Sequence, residues 1–408
     1  MRLAAALGLV AALALTAPAS AQIEPFLSGN VVKIGVLTDL SSIYADIGGS
    51  GSVEAARMAI ADFGGSVNGK KIELVSADHH NKPDLGSAIA SQWFGIDSVD
   101  VIADVATSSV ALAVQEVAHN RNKVLLISGA AASDLTGRAC SPTSVHWTYD
   151  TVALANGTGG AVVRSGGDTW FFITADYAFG IDLERDTTKV ITQNGGSVLS
   201  SVRAPLMTAD FSPYLLQAQA SKAKIIGLAN AGGDTINSIK QAARLGIVAG
   251  GQKLAGLLIF ISDVHSLGLQ TAHGLQLTSA FYWDQNDATR AWSKRFFDRM
   301  KREPTMVQAG VYGSIMHYLA AVKATGTADG PTVVKQMKAT PVNDFMTKNG
   351  KIREDGTLVR NMYLFEVKNP SESKGPWDYY KQIAVLPGEQ AFKPLGPNEC
   401  YMSRSLSN

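Results

Sequence analysis

Short apolar runs that end in small residues recur along this chain, and each is followed by positions that repeat with the spacing of a helix. The pattern is sharpest at Val101-Ile102-Ala103-Asp104-Val105-Ala106-Thr107-Ser108-Ser109-Val110-Ala111-Leu112 and again at Val124-Leu125-Leu126-Ile127-Ser128-Gly129-Ala130-Ala131. Both read as buried strands that open into loops of small residues, with a helix over 110–120 between them. Before them the spacing predicts a strand over 31–37, a helix over 52–63, a strand over 71–76 and a helix over 83–96 with proline in its first turn. After the extended aromatic segment His146-Trp147-Thr148-Tyr149-Asp150 the alternation restarts. It predicts helices over 152–164, 180–193, 212–221 and 235–245, with strands over 169–174, 197–203, 224–228 and 254–261.

Strands that alternate with helices in this way build a parallel sheet covered on both faces, and here that architecture is written twice without a repeat of sequence. A strand over 275–283 leads back to two long amphipathic helices, 286–302 and 306–324, of the kind the first half still lacks. A short helix over 332–338 and a hairpin of 350–353 with 358–367 around Asp355-Gly356 follow. The expected fold is α/β, two doubly wound parallel-sheet lobes joined by a three-segment hinge. Lobe 1 comprises 30–146 plus 281–340, lobe 2 comprises 147–280 plus 341–368, and 369–408 is a tail whose Trp377, Tyr379 and Tyr380 cover a sheet edge.

At 408 residues, 46% hydrophobic and 17% charged, the chain has ordinary globular composition with length for two such lobes. Residues 1–21 differ: Met1-Arg2, an apolar run, then Pro18-Ala19-Ser20-Ala21 read as an export signal cleaved near Ala21, with an uncleaved anchor as the alternative. Loss of Arg2 leaves 35 Lys and Arg against 35 Asp and Glu, and the densest basic stretch, 295–302, is interspersed with Phe296, Phe297 and Asp298. Such a surface does not suit nucleic acid. The only cysteines, Cys140 and Cys400, exclude a cysteine-based zinc site; in an exported chain they either form a disulfide that pins the tail or remain two thiols.

In parallel sheets ligands lie beyond the carboxyl ends of the strands. There, Thr107, Ser108 and Ser109 open a helix, whose free amides and partial positive charge suit a small carboxylate. The competing reading, that Ser108 or Ser109 only caps the helix, stays open. Ser41-Ser42-Ile43-Tyr44 and the loops 174–180, 229–234 and 260–265 add aromatic walls and a few polar groups. Asp234 reads rather as a cap for its own helix. Other chemistry is excluded or weak. Gly64-Gly65-Ser66-Val67-Asn68-Gly69-Lys70-Lys71 lacks the hydroxyl of a phosphate loop and follows a helix, and Gly49-Ser50-Gly51 lacks the third glycine of a dinucleotide fingerprint. His79 and His80 read as a solvated loop rather than metal ligands, His265 and His273 have no third ligand, and no nucleophile elbow or His-Glu-x-x-His occurs.

Thr38-Asp39-Leu40-Ser41, Thr107-Ser108-Ser109, Ile127-Ser128-Gly129-Ala130, Asp176-Tyr177-Ala178-Phe179-Gly180 and Gln241-Ala242-Ala243-Arg244-Leu245-Gly246 resemble the type I periplasmic solute-binding proteins of ABC importers, in the leucine/isoleucine/valine-binding branch. Residues 146–150, 228–235 and 304–310 are similar to a subgroup from soil and photosynthetic bacteria, some of whose members bind aromatic carboxylates. The resemblance implies a site of Tyr44, Thr107, Ser108, Ser109, Ser128, Gly129, Ala130, Ala131, Tyr149, Asp176, Tyr177, Phe179, Asn230, Ala231, Phe260 and Asp263. In it Ser108, Ser109, Gly129 and Ala130 match the places that hold a carboxylate. Asp263 is the carboxylate nearest to where the family receives an ammonium, while Ala131 and Phe179 stand where amino-acid binders often carry threonine and tyrosine. Fewer polar partners for an ammonium favour an acid with an apolar or aromatic body over a branched-chain amino acid. The implied protein is a periplasmic monomer without cofactor or catalysis, delivering its ligand to an inner-membrane permease. A ligand-sensing ectodomain and a secreted hydrolase are the alternatives, the latter without a triad or metal spacing to support it.

Overall fold

The computed structural model describes residues 31–396 and Cys400; the expected leader lies outside the described residues. Strands β1 (Val31–Thr38), β2 (Ser66–Val67), β3 (Lys70–Asp78), β4 (Val101–Asp104), β5 (Val124–Ile127) and β6 (Ser144–His146) form one sheet in the order β2-β3-β1-β4-β5-β6, parallel except for the β2 edge. β4 and β5 are buried throughout, so they need no polar alternation. Ile34, Val36, Ala103 and Leu126 face one side with helices Gly49–Phe63 and Met306–Thr325, while Leu37, Ile102 and Leu125 face the other with Pro83–Gly95 and Ser108–Asn120. The return of 306–325 thus completes the cover that the first segment lacks.

Strands β7 (Thr169–Ala175), β8 (Ser197–Ala204), β9 (Ile225–Ala229) and β10 (Lys253–Gly256) form a second parallel sheet, ordered β10-β9-β7-β8. β10 stops well short of the expected 261. Its partner β9 ends at Ala229, so residues 257–260 have nothing to pair with, and Ile261–Leu267 is a helix whose Asp263 accepts the Phe260 N–H. Their apolarity reflects burial rather than pairing. Helix 152–164 keeps its expected extent, but Ala155–Gly159 is π-wound where Thr158 hydrogen-bonds Thr278 and Gly157 leaves no room for a side chain.

The strand expected over 275–283 is β11 (Gln276–Ser279). The hairpin shrinks to β12 (Lys351–Ile352) with β13 (Leu358–Val359). It breaks at Arg360, whose buried guanidinium donates to the carbonyls of Ala280 and Met346, and β14 (Met362–Val367) joins β11 instead. The tail does not merely cover an edge: β15 (Tyr380–Leu386) pairs with β14, and Trp377 stacks on His265 at 4.0 Å. Beyond it Ala391 accepts a hydrogen bond from Asn156, Lys393 accepts one from Arg353, and Cys400 is bonded to Cys140 with an S–S distance of 2.06 Å. The tail therefore makes a fourth passage between the halves of the molecule.

Replacing Cys140 and Cys400 by serine is expected to lower stability by about 3–5 kcal/mol, because the bond closes a loop across 260 residues. Urea unfolding of the variant should coincide with that of reduced wild type and fall below that of oxidised wild type.

Candidate functional site

Three loops at the carboxyl edge of the first sheet are fastened to one carboxylate. Asp39, buried after β1, accepts the N–H groups of Ser41, Ser42 and Tyr44, the Ser42 hydroxyl and the Asn81 amide. Burial alone would raise its pKa, but these bonds hold it below the usual carboxylate range. Asn81, at φ +56°, also accepts the Thr107 hydroxyl, which joins the ends of β1, β3 and β4. Next to it His79 is buried, not solvated: its Nδ1 accepts the Asn81 N–H, and burial lowers its pKa to about 4.

With the Thr107 hydroxyl engaged, helix Ser108–Asn120 begins without a side-chain cap, so neither Ser108 nor Ser109 caps it and its opening amides stay available. Ser108 Oγ instead accepts the N–H groups of Ala131 and Ala132, which leaves its own hydrogen to donate. Asp104 and Val105 precede the helix at φ +82° and +55°, an unfavourable conformation for a β-branched residue. Val105 is held there by backbone bonds to Leu37 and Ala130. Tyr149 donates at 2.7 Å to the Gly129 carbonyl, and a Cβ on Gly129 would lie 2.7 Å from the Ala106 Cα.

These loops face those of the second sheet across a cleft that encloses a cavity of only about 20 Å³. Tyr44, Ile47, Ala106, Ser108, Gly129 and Ala131 line it from one side, Tyr177, Phe179, Ala231, Leu258 and Phe260 from the other, with Tyr149 between. That is more than tenfold below the roughly 300–1,000 Å³ of sites for drug-sized ligands, so the halves must part for a ligand to enter. The halves touch: the hydroxyls of Tyr44 and Tyr177 lie 2.5 Å apart, and a Cβ on Gly232 would sit 2.7 Å from the Ile43 carbonyl oxygen. Beside the connecting segments Ser133 donates to Asp186, the Asp134 N–H donates to Asp182, and Arg185 reaches Ser133 and Asp134. Burial raises the pKa of Tyr44, Tyr149 and Tyr177, so the only titratable groups in the lining stay neutral. The arrangement offers hydroxyl and amide donors at one end and ring and aliphatic walls elsewhere, with no carboxylate in the lining.

Several expected site residues stand outside that lining. Thr107 is spent on Asn81; Ser109 is half-buried on its helix; the Ser128 hydroxyl is buried without a hydrogen-bond partner among the described residues; and Ala130 gives its carbonyl to His146. Asp176 is exposed, and Asn230 is satisfied by Thr235 and Ser238. Asp263 turns toward its own helix, where burial raises its pKa to about 7. Asp234 does not cap: Gly232 holds that position, and the Asp234 carboxylate accepts the Met207 N–H. Ile47, Ala106 and Leu258 join the lining from outside the expected site, Leu258 from the apolar run of 254–261. No cluster suited to a metal ion occurs among the described residues.

A family model described as periplasmic binding protein matches residues 31–376. A solved periplasmic binding protein from Burkholderia mallei is 53% identical, with TM-score 0.88 over 89% of this chain and 96% of its own. A branched chain amino acid ABC transporter periplasmic ligand-binding protein from Burkholderia xenovorans is 40% identical, with TM-score 0.81 over 91% of this chain and 100% of its own. The fold is shared by an ABC transporter solute binding protein from R. palustris solved with benzoate, 20% identical, TM-score 0.78, over 88% of this chain and 97% of its own.

Asn81→Ala is expected to destabilise the protein by about 2–3 kcal/mol, since it strands the Thr107 hydroxyl and one bond to the Asp39 carboxylate. Thermal unfolding checks this against Asn120→Ala, whose amide bonds only an exposed neighbour, Glu116, and whose melting point should stay near wild type.

Proposed function

The chain belongs to the periplasmic binding protein family, the non-enzymatic solute-binding components of ABC transporters, and we propose that its ligand is a small carboxylate with an apolar, preferably aromatic, body. No helix among the described residues is long and apolar enough to cross a membrane. The carboxylate end is assigned to the uncapped start of helix Ser108–Asn120 and to the Ser108 hydroxyl, the body to Tyr149, Phe179, Leu258 and Phe260. One observation carries the choice: the lining holds no acidic side chain, and the nearest expected one, Asp263, is bonded to its own helix. An ammonium buried there would touch no charged partner in the lining. A second reading, a branched-chain amino acid, is supported by the description of the Burkholderia xenovorans relative.

The proposed mechanism is capture without chemistry. An open form admits the acid, Tyr44 and Tyr177 meet behind it, and the closed form is presented to the permease. Closure and binding are linked because only the closed state touches the ligand from both sides.

In a thermal-shift screen, benzoate at about a hundred times its Kd is expected to stabilise the protein by about 2.7 kcal/mol, and leucine and valine not at all. Stabilisation by leucine or valine alone would decide for the second reading. Ser108→Ala should weaken benzoate about 10–100-fold by calorimetry, the size of one charge-assisted hydrogen bond of roughly 1.5–3 kcal/mol, with the circular dichroism spectrum retained.

A further inference from the structure

The floor of the cavity conceals a carboxylate that ligand contact does not use. Asp104 ends β4, is wholly shielded from solvent, and neither of its oxygens completes a hydrogen bond among the described residues. Two glycines fix its place: a Cβ on Gly129 would lie 2.8 Å from Oδ1, and one on Gly48 would lie 2.7 Å from Oδ2. Gly129 lines the cavity, and Gly48 ends the turn that carries Tyr44 and Ile47 into it. The carboxylate therefore sits between the two loops that make the first lobe's share of the site. Its left-handed backbone, followed by that of Val105, is a strained arrangement of the kind found where a fold holds a functional group in place.

The groups facing Asp104 are few. Thr38 from β1 and Ser52 from helix Gly49–Phe63 bring hydroxyls to its Oδ2 side near Gly48, and Ala106 and Gly129 close the Oδ1 side. Tyr149, from the connecting segment, is a titratable group that senses the charge of Asp104, and no cation contributes to the surroundings of Asp104. Burial raises its pKa to about 6, with the Ser52 and Thr38 hydroxyls opposing the rise.

We propose that Asp104 is a positioning residue that takes up a proton as the cleft closes on an anionic ligand, so that carboxylate capture and neutralisation of the cavity floor are one event. This rests on the carboxylate reading above. An anion held by Ser108 and the helix start would face an ionised Asp104 across the thickness of Gly129 in a water-poor setting, where two like charges cannot both persist. Below about pH 6 the free protein is already protonated there and binding needs no proton. Above it each bound anion draws one in, so affinity falls as pH rises.

The test is calorimetry of benzoate binding from pH 5.5 to 8.5, in two buffers of different ionisation heat, for wild type and Asp104→Asn. For wild type the Kd is expected to be flat below about pH 6 and then to rise toward tenfold per pH unit, with proton uptake approaching one per ligand at pH 8. Asp104→Asn should bind with the wild-type low-pH Kd at every pH and take up no proton. Should that variant not fold, Ser52→Ala serves: it removes a hydroxyl that favours the ionised form, so the bend in the curve should move to higher pH. A wild-type Kd independent of pH, or the same slope and uptake in Asp104→Asn, overturns the proposal and leaves the carboxylate reading standing. Failure of benzoate at every pH, with leucine bound instead, overturns both.

Discussion

The binding face of the first lobe depends on one buried negative charge. Asp39 is stable there because five donors converge on it, and each belongs to a loop that must be held still for the cleft to have a shape. A buried carboxylate so satisfied is rigid, since displacing any one loop would leave it short of a partner in a place water cannot reach. Through Asn81 the same anchor takes hold of Thr107 and so decides which hydroxyls are free: Thr107 is consumed, and Ser108 is left to act. The donor set of the cleft is thus fixed by a contact that no ligand touches.

The two lobes answer one another unequally. The first supplies polar groups held by hydrogen bonds, while the second supplies mainly bulk in Phe179, Leu258, Phe260 and Ala231. That division suits a molecule with a charged head and an apolar body, and it places orientation in one lobe and fit in the other. The interlobe bonds of Ser133 and Asp134 with Asp182, Arg185 and Asp186 lie beside the connecting segments, away from the lining, so closure has contacts that are independent of what fills the cavity.

Much of this was legible in the order of residues. The unbroken apolarity of β4 and β5 identifies doubly covered strands, and the small residues that follow identify where a ligand can approach backbone. Tyr44, Ser108, Gly129, Tyr149 and Tyr177 could be named because strand ends in such sheets face a cleft. What failed did so where distant segments decide. Residues 257–260 are apolar because the cleft covers them, a signal that pairing would also give. The break at Arg360 depends on carbonyls at Ala280 and Met346, and Thr107 drops out of the expected site because its hydroxyl donates to Asn81, 26 residues away. The burial of His79 could not be read from neighbours as polar as Asp78 and His80.

The bond between Cys140 and Cys400 has a topological meaning. It turns the chain from 140 to 400 into a covalent ring that contains the whole second sheet and every connecting strand, sealed onto the first lobe. Any single cut of the backbone within that ring converts it to two arms still joined at sulfur. With three backbone connections and this bond between the halves, cutting any one or two of the connections still leaves the jaws covalently tethered.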